Sequence, residues 1–238
     1  MLLRLPTSVS EAQTYLTDGA LPIGGATLVW ATWQRDGFPE QAMSLRDLPE
    51  ANVLGRETLG AAVVLNRIDD RVPEVLHRAA ASVGTGAVRR AATVGGNLVG
   101  STLRCLLPAA LVLDARATVL EADGVHETDL AELLAKNHLL LSLRWRRPLA
   151  SAYRKLPGDP GGPPPLVVAA AVHAEGGGRS RLRVAVRDGY EVIGESTVLD
   201  AGTGVGEVLA TLGRTDLGAL PAAAREAVRG QVTGLLGG

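Results

Sequence analysis

Ala92-Thr93-Val94-Gly95-Gly96-Asn97-Leu98 decides how the rest of the chain reads. Two glycines sit between a hydroxyl and an amide side chain. Glycine lets the backbone approach a ligand closely and reach positive φ. Successive free backbone N–H groups then form a concave nest for an anion such as a diphosphate. Thr93 and Asn97 can add side-chain donors. Leu21-Pro22-Ile23-Gly24-Gly25-Ala26-Thr27-Leu28 repeats the arrangement. A Gly-Gly pair alone more often marks a tight turn. Two pairs with matching neighbours leave the turn and the phosphate loop both open as readings.

Outward from these loops, hydrophobic periodicity and caps predict a mixture of helices and strands. Ser8 with Glu11 has capping-box spacing and opens a helix over 8–17. Thr27 to Trp30 reads as a strand, as do Leu59 to Leu65, Ala117 to Glu121 and Leu139 to Trp145. Pro73 to Ser82 and Pro108 to Ala115 read as helices, with a glycine-dense loop region from Gly84 to Gly100 between them. Thr128 to Leu134 is a short helix after a turn at Asp123-Gly124. Leu156 to Pro165 is a loop, followed by strands at Leu166 to His173 and Arg181 to Arg187. Helices at Gly206 to Leu212 and Pro221 to Leu236 close the chain. Strands and helices mix without regular β-α alternation, which predicts an α+β fold.

A net charge of −1 gives no electrostatic case for nucleic acid. No apolar stretch reaches the roughly 20 residues of a membrane span, and no signal peptide is evident. The expected compartment is the cytoplasm. Cys105 is the single cysteine, so the chain alone can hold neither an internal disulfide nor an iron–sulfur cluster. His77, His126, His138 and His173 have no metal-ligand spacing, no G-x-S-x-G supports a serine nucleophile, and no catalytic residue is assigned. Val198 to Gly206 matches the first glycine motif of methyltransferases, but too little chain follows it for the further βα units such a fold needs.

Thr93-Val-Gly-Gly-Asn-Leu98, followed by Leu107-Pro-Ala-Ala-Leu-Val-Leu-Asp-Ala115, resembles the second FAD loop of the medium subunits of the xanthine dehydrogenase and carbon monoxide dehydrogenase (molybdenum hydroxylase) family. Gly24-Gly25-Ala-Thr-Leu28 resembles the first. Pro6-Thr-Ser with Glu11-Ala12, Leu59-Gly-Ala-Ala-Val63, Leu139 to Pro148 and Ala152-Tyr-Arg-Lys155 follow in family order. The resemblance implies an α+β, vanillyl-alcohol-oxidase-type FAD-binding domain over 1–147, with subdomains of about 1–53 and 54–147. A small C-terminal α+β domain follows over 148–238. It implies FAD as cofactor, contacted at Ile23, Gly24, Gly25, Ala26, Thr27, Leu28, Thr93, Val94, Gly95, Gly96, Asn97, Thr102, Leu106, Leu141 and Lys155.

It further implies a hetero-oligomer with a molybdopterin-binding subunit and a 2Fe-2S subunit, in which FAD passes the partner's electrons to an acceptor. The alternatives are a stand-alone FAD-dependent oxidoreductase, which could be a homo-oligomer, and a structural or interaction protein whose cofactor site has decayed. The chain departs from the family pattern where an aspartate contact falls at Leu106, after Cys105 rather than serine. Leu103 stands for the family's proline, Arg89-Arg90 for Arg-Asn, and the stretch between Asn52 and Pro73 is shortened. A lost charge-assisted contact is worth on the order of 1.5–3 kcal/mol.

Overall fold

The computed structural model describes residues 1–159 and 161–237. The chain runs β1 (Leu2–Arg4), α1 (Val9–Thr17), β2 (Leu21–Ile23), α2 (Val29–Asp36), β3 (Gln41–Ser44) and β4 (Thr58–Gly60). Then come α3 (Glu74–Ala81), α4 (Gly86–Ala91), α5 (Val94–Leu98), α6 (Leu107–Val112), β5 (Arg116–Glu121) and β6 (Gly124–Thr128). The remaining elements are α7 (Leu130–Lys136), β7 (Leu139–Arg144), β8 (Ala150–Lys155), β9 (Val167–Gly176), β10 (Arg179–Asp188), β11 (Glu191–Leu199), α8 (Val205–Leu212) and α9 (Ala222–Leu236). These elements form two compact units. The first takes Met1–Val72, Val83–Leu106 and Ala115–Trp145, and the second takes Pro73–Ser82, Leu107–Asp114 and the chain from Arg146 onward.

The first unit has two sheets. One is parallel, in the order β1-β3-β2, and the other antiparallel, in the order β4-β7-β5-β6. Helix α1 begins where the sequence predicts: the Ser8 hydroxyl accepts from the Glu11 N–H at 3.2 Å. The Glu11 carboxylate reaches back to the Thr7 N–H at 2.8 Å. That satisfies two donors that a helix start otherwise leaves open. The helix buries Ala12 against Met43, Leu45, Leu48, Leu120 and Leu141, with Val9, Tyr15 and Leu16 at the edge of this core. Asn52 donates to the carbonyls of Leu45, Arg46 and Leu48, tying down the two short turns that follow β3.

The second unit is an antiparallel meander, β11-β10-β9-β8, covered by helices. Leu182, Val184 and Val186 alternate along β10 and share one core with Val208 and Leu212 of α8. Ala224, Ala227, Val228 and Val232 bring the matching stripe from α9, at helical spacing. Gly177 and Gly178, at φ +60° and +77°, make the β9–β10 turn that needs two left-handed residues.

Several expectations are corrected. No strand forms at Thr27 to Trp30; the strand is β2, and Val29 and Trp30 open α2. The chain reverses at Ala26, whose φ is +55°, and the Ala26 carbonyl accepts the Trp30 N–H at 3.1 Å. Local turn geometry thus overrides the β-propensity of Val and Trp. The strand expected at Leu59 to Leu65 shrinks to β4, and Leu65–Arg67 is a 3-10 turn. The glycine-dense region is not wholly loop. Thr85 and Thr93 each accept an N–H three residues on and so cap α4 and α5. Within the loop at Leu156 to Pro165, Pro160 lies outside the described residues.

Helix α7 supplies a pH test. Asp129 caps it by accepting the Glu132 N–H at 2.7 Å. The Glu132 carboxylate accepts from Lys136 Nζ and Thr128 Oγ1. The Lys136 bond first, and the Thr128 bond second, hold its pKa down from 4.5 to about 2. A carboxylate with a depressed folded-state pKa contributes stability above its unfolded pKa, and that contribution disappears as pH falls through the folded value. Glu132→Gln should therefore melt below wild type at pH 7, and the gap should close between about pH 4.5 and pH 2. Thermal melts across that window check this; a gap independent of pH would contradict it.

Candidate functional site

The two glycine segments meet in the first unit, backbone to backbone. Ile23 ends β2, in register with Ser44 of β3, and the chain leaves the sheet at Gly24. A Cβ on Gly24 would lie 2.2 Å from Thr93 Oγ1, and one on Gly25 would lie 1.7 Å from the Ala91 carbonyl oxygen. Neither fits, so the second loop occupies the space where side chains of the first would be. Ala26 follows in the left-handed conformation, a position that costs a non-glycine residue roughly 1–2 kcal/mol. Among the described residues, the backbone N–H groups of Gly24, Gly25, Ala26 and Thr27 donate no hydrogen bond within the protein. Gly24, Thr27 and Leu28 are exposed.

The second segment is held differently. Its amides are engaged inside the protein: Val94 N–H donates to Val63 O at 3.0 Å, Gly95 to Ala61 O at 2.8 Å and Asn97 to Thr93 O at 2.9 Å. Gly96 N–H donates to Thr93 Oγ1 at 3.2 Å. Leu141 takes part through its carbonyl, which accepts the Ala61 N–H at 2.8 Å and so seats β7 behind this segment. Asn97 is buried, and its Oδ1 accepts the Leu106 N–H at 2.9 Å. A Cβ on Gly95 would press on Ala61, at 3.1 Å from its Cβ. Gly96 is the exception: a Cβ there meets only Thr93 Oγ1, at 3.2 Å, and is otherwise in open space.

The structure therefore brings together Ile23 to Leu28, Thr93 to Asn97, Leu106 and Leu141. Val94 and Leu106 are fully buried, and Thr102 is exposed. Lys155 belongs to the second unit, where its Nζ donates to the Ser82 carbonyl at 2.9 Å. Three further residues in or beside these segments were missed by sequence reasoning: Ala61, Ala91 and Arg104. The first two act through backbone carbonyls, which no side-chain pattern announces. Arg104 has φ +41°, and its Nε is buried without a hydrogen-bond partner. An orphaned buried donor costs about 1–3 kcal/mol. An arginine in a small polar loop ordinarily reads as solvated, so nothing in the sequence flags it.

The family model described as the FAD-binding domain in molybdopterin dehydrogenase matches residues 3–141. No curated protein matches the chain by sequence. Among solved structures, quinoline 2-oxidoreductase from Pseudomonas putida 86 is similar with a TM-score of 0.69 and 18% identity, over 99% of this chain and 95% of that one. Reconstituted CO dehydrogenase from Oligotropha carboxidovorans is similar with a TM-score of 0.72 and 18% identity, over 100% and 96%. Cu,Mo-CO dehydrogenase in its cyanide-inactivated form gives 0.72 and 17% over the same shares. The chain thus belongs to the family of FAD-binding domains of molybdopterin dehydrogenases. Its cofactor is FAD, its class is oxidoreductase, and the α+β fold expected from the resemblance is the fold observed.

The loop contact separates the glycines by role. Gly25→Ala forces the two loops apart, because its Cβ meets backbone rather than a movable side chain. It should destabilise the protein by about 3 kcal/mol or more. Gly96→Ala should stay within about 1 kcal/mol of wild type, since an alanine in a helix gains what the mild contact loses. Denaturant titration of both variants checks this. Equal costs for the two would contradict the packing account.

Proposed function

We propose that this chain is the FAD-carrying, electron-transferring subunit of a molybdenum hydroxylase-type oxidoreductase. It takes electrons from iron–sulfur clusters on a 2Fe-2S partner, fed by a molybdopterin-binding subunit, and passes them through FAD to an acceptor. The observation that carries the reading is the row of unengaged N–H groups at Gly24 to Thr27, set against the second loop. Four consecutive unpaired amides beside an open glycine suit the dianionic diphosphate of FAD. The donor set thus fits the family's cofactor.

FAD, when bound, supplies the one- and two-electron chemistry. The chain's own residues bind and orient it. The amides of Gly24 to Thr27 hold phosphate oxygens, and Gly96 leaves room for the cofactor to approach. The exposed hydroxyls of Thr27 and Thr102 offer further donors. Asn97 acts indirectly, by fixing Leu106 and the segment before it. Leu141 backs the second loop through Ala61, and Lys155 is a cofactor contact proposed from family order.

The partners are supported by the company of the fold, since the similar structures include a Cu,Mo-CO dehydrogenase and quinoline 2-oxidoreductase. Among the described residues no helix is long and apolar enough to cross a membrane, which fits the cytoplasmic location proposed here.

The decisive test is the visible spectrum of the purified chain after saturation with FAD, compared with Gly96→Asp. The open space at Gly96 lets the variant fold, while its carboxylate meets the diphosphate. Wild type should show bound-flavin bands. The variant should fold but weaken FAD binding by roughly a hundredfold or more. A wild type that takes up no FAD would overturn the proposal, as would unchanged affinity in Gly96→Asp.

A further inference from the structure

Arg104 is unexplained by the fold. Its Nε is shut away from solvent with no hydrogen-bond partner. Its guanidinium makes no ion pair or hydrogen bond among the described residues. Its backbone sits in the left-handed region, which a bulky side chain adopts only where surrounding structure imposes it. The surroundings do impose it, because the segment is pinned at both ends to the second glycine loop. On one side Gly100 packs so closely that a Cβ there would lie 3.0 Å from the Gly96 carbonyl oxygen. On the other, the Leu106 N–H is held by Asn97 Oδ1 at 2.9 Å. The arginine therefore stands on an arch whose ends are rooted at Gly96 and Asn97, and Gly96 is the glycine whose open side faces no protein atom but Thr93 Oγ1.

The charge pattern points the same way. From Val75 to Leu113 the chain has no carboxylate at all, while Arg78, Arg89, Arg90 and Arg104 are present. Leu21 to Trp33, which holds the first loop, contains no charged residue. Arg89 donates to the carbonyls of Val83 and Gly84. Arg104 has no such internal acceptor. A guanidinium is a planar fork of donors that matches phosphate geometry and is never deprotonated. Buried donors without partners in a native fold call for an acceptor that the protein itself does not supply.

We infer that Arg104 is an anion anchor of this chain, binding a phosphate of FAD from the arch over Gly96 and Asn97. It supplies the site with a charge-assisted contact of its own, two residues before Leu106. This inference rests on the FAD site proposed above.

The test titrates the full, flavin-freed chain with FAD and with riboflavin, which has no phosphate, following flavin fluorescence. Wild type, Arg104→Ala and Arg104→Lys are compared, and inorganic pyrophosphate is titrated separately by calorimetry. Arg104→Ala should bind FAD about 10- to 100-fold more weakly while leaving riboflavin affinity unchanged. Arg104→Lys should fall between the two. FAD affinity should lose part of its salt dependence in Arg104→Ala, and pyrophosphate should bind wild type more tightly than that variant. The flavin-free Arg104→Ala protein should melt no lower than wild type, since the side chain has no internal partner to lose. Unchanged FAD affinity, an equal loss of FAD and riboflavin, or a lower melting temperature without ligand would each overturn the inference alone. A wild type that binds no FAD would overturn the proposed function and this inference with it.

Discussion

The carbonyl oxygen of Ala91 stands where a side chain of residue 25 would begin. From this close approach the rest of the site follows. Two segments distant in sequence share one van der Waals boundary, which only glycine at 24 and 25 permits. The second segment is fixed from behind by hydrogen bonds through Ala61 to Leu141 of β7, so the first is positioned against a rigid wall. What that wall leaves over is chemically useful: a left-handed Ala26 and unengaged N–H groups from Gly24 to Thr27. In a folded interior such groups are nearly always paired. Here they lie at an exposed edge beside Gly96, where an anion can reach them.

The two loops thus differ in the way the proposed phosphate site requires. One is internally bonded and holds shape; the other keeps its donors open. Neither segment contains an acidic side chain, so nothing in them competes for those donors or repels an anion. The antiparallel sheet β4-β7-β5-β6 and the small parallel sheet β1-β3-β2 serve this arrangement by fixing where Gly24 leaves β2 and where Ala61 follows β4.

Much of this was legible beforehand, for physical reasons that differ by element. Helix α1 announces itself through Ser8 and Glu11, a local capping interaction. Helix α9 and strand β10 do so through apolar residues at their proper periods. Strand β11 was invisible because it is an edge strand, only partly buried, with Gly194 and Glu195 breaking its apolar run. Strands β1 and β3 have three and four residues, too short for a period to show. Helix α2 was hidden by Val29 and Trp30, which prefer strands in isolation. At the site, the glycine pairs said that a side chain was forbidden, but not by what. At Gly24, Gly25 and Gly95 the obstacle is the protein itself; only Gly96 looks outward. Arg104 was unreadable, because its significance lies in a partner it lacks rather than in any pattern of neighbours.

The proposed FAD site needs the first loop to keep its amides open while the second has closed its own. Residue-resolved amide hydrogen exchange, followed by NMR with and without FAD, measures this directly. Fast exchange is expected at Gly24 to Thr27 and slow exchange at Val94 to Asn97 in the flavin-free protein, with Gly24 to Thr27 becoming protected when FAD binds. Protection of Gly24 to Thr27 before FAD is added, or no change there when it binds, would contradict it.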